Sequence, residues 1–93
     1  MSDRAALIEH RLRTALAPER LVIVDDSAAH AGHAGARDGG HFTVQIVSAA
    51  FAGQTPIQRH RLVHGAVADL MHREIHALSI RAWTPEEAFL ANP

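Results

Sequence analysis

The 93 residues contain no cysteine and no lysine. The lack of cysteine rules out a disulfide framework, a thiolate metal site and a catalytic thiol within the chain. Stability must therefore come from packing alone. All nine basic residues are arginine, and they face ten acidic residues for a net charge of −1. Nonspecific nucleic-acid affinity comes from phosphate neutralisation, so this balance argues against that as a main task. A local basic patch stays open. No apolar run approaches the ~18–20 residues that a membrane span needs. The opening Met1-Ser2-Asp3-Arg4 lacks the apolar stretch of a signal peptide, so a cytoplasmic protein of bacterial type is expected.

What the chain does have is 47% hydrophobic residues, 20% charged residues and eight histidines. This composition is that of a folded protein, and the length suits one domain spanning 1–93. Histidine is the commonest metal ligand and changes charge near neutral pH. If a soft metal centre is involved, another molecule must bring the sulfur.

The periodicity gives an element order. Residues 3–17 read as a helix with Leu7, Ile8, Leu12, Ala15 and Leu16 on one stripe, Ser2 as N-cap and Pro18 as the stop. Leu21 to Asp25 form a short β-rich run. Residues 26–40 hold four glycines and no apolar period, and read as a long mobile loop. His41 to Ser48 alternates, with Phe42, Val44 and Ile46 on one face. After a turn through Gly53, Thr55-Pro56-Ile57-Gln58 is a capping signature. The helix that follows is predicted to run to about Arg73, burying Ile57, Val63, Ala66, Val67, Leu70 and Met71. Ile75 to Ala82 alternates again, with His76, Leu78 and Ile80 on one face. Thr84-Pro85-Glu86-Glu87 opens a final short helix.

The order α-β-β-α-β-α predicts an α+β domain. Its three-stranded mixed sheet pairs the first two strands antiparallel and places the third parallel after a right-handed crossover. The helices are expected on one face.

On the residues alone, His76 reads first as a core-edge histidine satisfied by a backbone carbonyl. His30 and His33 sit three apart in a Gly/Ala loop and read as solvated. His60 and His64 lie four apart on one helix face, beside Arg59 and Arg61. No glutamate follows His60, so the metalloprotease pattern is absent. His72 and His76 are four apart, but a strand begins between them. His10 reads as solvated, and His41 as a polar-face residue near a site without being a ligand. Ser27, Ser48 and Ser79 lack the context of a catalytic serine, and no Gly-rich phosphate loop is present. Asp25 and Asp26 read as caps. An enzyme is not expected.

Two ordered sets of residues carry a resemblance. The first runs from His41-Phe42 through Phe51-Ala52-Gly53 to Arg59-His60-Arg61-Leu62-Val63-His64. The second is Ile75-His76-Ala77-Leu78 followed by Thr84-Pro85-Glu86. The chain resembles the BolA family over residues 3–87, with Ala50-Phe51 where many members have Gly-Phe. The resemblance implies a class II KH-like fold. It also implies partnership with a monothiol glutaredoxin and a shared [2Fe-2S] cluster ligated on the partner side by cysteine and glutathione. Carried onto this chain, the ligands would be His76 and His30, with His33 as the alternate. This would be a histidine-loop member that holds no cofactor in isolation.

A second reading is a nucleic-acid-binding transcriptional regulator. It would use the surface of Gly53, Arg59, His60, Arg61 and His64, and possible DNA contact follows from it. Against it, Gly53-Gln54-Thr55-Pro56 is not the Gly-x-x-Gly clamp of true KH domains. The free chain is expected to be a monomer or weak homodimer.

Overall fold

A computed structural model describes residues 3–26 and 40–91. Helix α1 (Asp3–Leu16) leads to β1 (Arg20–Asp25) and β2 (Gly40–Val47). A 3-10 turn (Ala49–Phe51) precedes α2 (Pro56–Ala66), and another (Ala68–Leu70) precedes β3 (Ile75–Trp83). Helix α3 (Pro85–Ala91) closes the order. The sheet order is β1-β2-β3. β1 pairs with β2 antiparallel, and β2 pairs with β3 parallel, as the pattern predicts. None of the described helices is long and apolar enough to cross a membrane.

Register puts the apolar side chains in rows. Leu21 faces Ile46 and Ile23 faces Val44. Phe42, Val44 and Ile46 face Leu78, Ile80 and Ala82. These rows meet Ala5, Ile8, Leu12 and Leu16 of α1 and Val63 of α2 in one core. Phe51, in the 3-10 turn, is fully buried within it. The α1 stripe is rotated slightly from the sequence reading: Ala5 is buried, while Ala15 faces solvent.

Two expectations for the second helix need correction. The second helix ends at Ala66, not near Arg73. The Val67 N–H bonds back to the His64 carbonyl at 3.2 Å, tightening the chain into a 3-10 turn. That change keeps Val67 and Leu70, three apart, both in the core. Ile57, read as part of the buried stripe, is 65% exposed because it sits in the first turn, beyond the sheet's cover.

Helix α3 follows β3 directly. Its Pro85, Ala88 and Phe89 line a groove with Val22, Gln45 and Trp83, which alternate away from the main core. α3 therefore borders this groove at the end of the sheet, and Arg59 ties it to α2. Val47 is buried there while lying outside the main core cluster.

Candidate metal centre at the start of the third strand

The β2–β3 ladder is interrupted at its first step. Gly40 aligns with Ile75, but His41 aligns with Ala77, so His76 is an extra residue on β3. A bulge of this kind re-aims a side chain locally. Ile75 is fully buried in the core. Simple alternation from Leu78 and Ile80 would put His76 on the core face, but the bulge brings it beside His41 instead. The two imidazole centroids are 5.1 Å apart, with planes inclined at 49°.

The backbone around this corner is tied on three sides. The Gly40 N–H donates to the Glu74 carbonyl at 3.0 Å, and the Asp26 N–H to the His41 carbonyl at 2.7 Å. The Thr43 hydroxyl donates to the Asp26 carboxylate at 2.8 Å. Before β3, the His72 N–H donates to the Ile75 carbonyl at 2.7 Å, in a tight turn where His72 has φ 66. Arg4 of α1 reaches the Glu74 carboxylate at 3.3 Å. The corner is therefore built on strands and turns held by hydrogen bonds, the kind of support that keeps a ligand geometry fixed.

His76 Nδ1 is buried and has no hydrogen-bond partner among the described residues. A buried polar atom left unpaired costs roughly 1–3 kcal/mol. Such atoms call for an explanation, and an ion bound there is one. Among the described residues, no group of three or more histidine, cysteine, aspartate or glutamate side chains could hold a metal. The corner thus offers imidazole nitrogen and no sulfur, which suits one side of a mixed nitrogen–sulfur centre completed by another molecule. His30 and His33 lie outside the described residues. The segment that carries them starts and ends at this corner, at Asp26 and Gly40.

The α2 surface is organised separately. The Thr55 hydroxyl accepts from the Gln58 N–H at 3.2 Å, and Gln58 Oε1 accepts from the Thr55 N–H at 2.9 Å, completing the expected capping box. Gly53, at φ 74, makes the preceding turn in a conformation that glycine adopts without strain. Gly53, His60, Arg61 and His64 are exposed. Arg59 is not: its side chain is 14% exposed. It donates to the carbonyls of Gln54 at 3.0 Å and Ala82 at 3.3 Å, and both terminal nitrogens bond Glu87. Its guanidinium pulls the Glu87 carboxyl down to about 2, helped by the Thr84 N–H. Arg59 is a clamp between α2 and α3, and the exposed basic face is left with Arg61. No local pattern signals this pair, because its partners are 28 residues apart.

The fold and the corner together define a small α+β domain with paired histidines at a bulged strand start. The family pattern described as BolA-like protein matches residues 12–87. BolA-like protein 1 of Mus musculus is 44% identical over 82 residues, covering 88% of this chain and 58% of that protein. The chain thus spans little more than half the length of that relative. The DNA-binding transcriptional regulator BolA of Vibrio cholerae is 40% identical over 81 residues, covering 87% of this chain and 74% of that protein. Among solved structures, the BolA domain of SufE1 from Arabidopsis thaliana superposes with a TM-score of 0.83 at 40% identity, covering 94% and 98% of the two chains. The chain belongs to the BolA family.

Proposed function

We propose that this chain is a non-enzymatic partner of a monothiol glutaredoxin and shares with it a glutathione-ligated [2Fe-2S] cluster, in cluster trafficking or in iron and redox regulation. The observation that carries this reading is the buried Nδ1 of His76, which has no hydrogen-bond partner among the described residues, in a chain with no cysteine. His76 would hold the cluster from β3, with His30, or alternatively His33, as the second ligand. When bound, the cluster supplies one-electron redox chemistry and transferable iron and sulfide. The chain's own contribution is to fix an imidazole donor and to exclude water around it. A cytoplasmic setting, where thiols stay reduced, suits the partner's cysteine and glutathione.

Coexpression with a monothiol glutaredoxin tests this. The expected product is a coloured heterodimer, while the isolated chain is colourless. His76→Ala should change or abolish the visible absorption and circular dichroism. An unaltered spectrum in that variant would remove His76 as a ligand.

A second reading, nucleic-acid binding in transcriptional regulation, is favoured by the name of the Vibrio cholerae relative and by the exposed His60, Arg61 and His64 on α2. It predicts gel-shift binding that weakens with salt and is lost in Arg61→Ala. Absence of binding at low salt would eliminate it.

A further inference from the structure

We propose that His60 and His64 on α2 form a two-imidazole chelate for a transition-metal ion such as Zn²⁺, open to solvent and separate from the corner at β3. It shares no donor with the cluster reading, so the two stand or fall independently.

Residues four apart on a helix lie on one face, with Cβ atoms about 5–6 Å apart. Helical His-x-x-x-His pairs hold zinc at this spacing. His60 and His64 both lie inside α2 (Pro56–Ala66). Both are exposed, so an ion reaches them without opening the fold. The helix that carries them is held firmly. The capping box of Thr55 and Gln58 fixes its start. Val63, between the two histidines, is fully buried and pins the rotation of the helix about its axis. Arg59 ties the same helix to Glu87. A chelate on an ordered element avoids the entropic cost of fixing backbone when the ion binds.

The local charges admit a cation. His64 lies in the last turn of α2, where the negative end of the helix dipole favours positive charge. Arg59 is neutralised by Glu87. Arg61, three residues before His64, is exposed, so water and salt screen its repulsion. Among the described residues, no third imidazole or carboxylate enlarges the pair into a larger ligand group. Water therefore fills the remaining positions. A protein donor set of imidazole alone selects zinc, copper or nickel over magnesium and calcium, which prefer oxygen.

Zinc calorimetry tests the chelate in the full chain carrying His30→Ala, His33→Ala and His76→Ala, which removes the proposed cluster donors. That chain should bind one equivalent of Zn²⁺ and no Mg²⁺. Adding His60→Ala or His64→Ala should each abolish the binding isotherm. Adding His64→Ala together with Gly65→His keeps two histidines on the helix but moves the second donor to a five-residue spacing, off the shared face. A Cβ at Gly65 meets nothing within 4 Å, so this variant should fold, and far-UV circular dichroism checks every variant. It should bind no zinc. Zinc binding that survives the shifted spacing overturns the proposal, as does a starting chain that binds none.

The glutaredoxin complex separates the two ideas. Zinc bound through His60 and His64 beside a colourless complex keeps the chelate and removes the cluster reading. A coloured complex with no zinc bound on α2 does the reverse.

Discussion

Arg59 on α2 and Glu87 on α3 form a two-pronged ion pair, Nη2 to Oε2 at 3.0 Å and Nη1 to Oε1 beside it. Glu87 also accepts from the Thr84 N–H at 2.9 Å, and the Glu87 N–H donates to the Thr84 hydroxyl at 3.1 Å. One carboxylate therefore caps α3 and anchors it to α2. The same Arg59 guanidinium reaches the Ala82 carbonyl near the end of β3.

This arrangement makes part of the stability acid-labile. The folded Glu87 carboxyl titrates at about 2, below its ordinary 4.5. Its contribution is complete above the unfolded value and is lost as pH falls from about 4.5 towards about 2. Glu87→Gln should lower the urea midpoint at pH 7 and lose less than wild type between neutral pH and pH ~3. An equal gap between the two proteins at both pH values would contradict this.

Ser48 predicts a larger and pH-independent effect. It is buried, its hydroxyl donates to the Leu16 carbonyl at 2.6 Å, and it accepts from the Ala50 N–H at 3.1 Å. Ser48→Ala strands both backbone groups at the junction of α1, β2 and the 3-10 turn. The expected loss is about 1–3 kcal/mol, measured by urea unfolding.

Phe51 should be more sensitive still. It is fully buried, and its ring is carried by a three-residue turn. Phe51→Ala should cost about 3–5 kcal/mol, because the rigid sheet on one side limits collapse of the cavity. A cost below about 1 kcal/mol would mean that the core repacks.

Among the described residues, two that are not glycine are held in left-handed backbone, His72 at φ 66 and Ala17 at φ 42. That conformation costs an L-residue about 1–2 kcal/mol, and glycine avoids it while losing more chain entropy. Both side chains are exposed, so no packing is lost. His72→Gly and Ala17→Gly should each stabilise by about 0.5–1 kcal/mol, whereas His72→Ala should not.

The strands were legible because alternation is a strong signal when one face is buried: Phe42-Val44-Ile46 and Leu78-Ile80 occupy the face expected of them. The Thr55 and Thr84 helix starts were legible because capping chemistry is local. The end of α2 was not, since Val67 and Leu70 fit a helical stripe and a 3-10 turn equally well. The attachment of α3 to α2 was not legible either. The seven residues of α3 carry too little pattern to choose a face, and Arg59–Glu87 is a long-range contact. At the candidate site, His76 could be named from the family resemblance. Its nearness to His41 could not, because a bulge is a one-residue change of register that leaves no periodic trace.

The anchoring of Asp26 and Gly40 has an evolutionary consequence. Asp26 is fastened to the His41 carbonyl and Gly40 to the Glu74 carbonyl, so the fold pays little heed to how long the intervening chain is. Doubling the length of a connection adds only about 0.6 kcal/mol of closure cost. Descendants of such a chain can lengthen, shorten or rewrite that stretch without renegotiating these two anchors. The strands hold the inheritance constant, and the connection between them is where new chemistry can be tried.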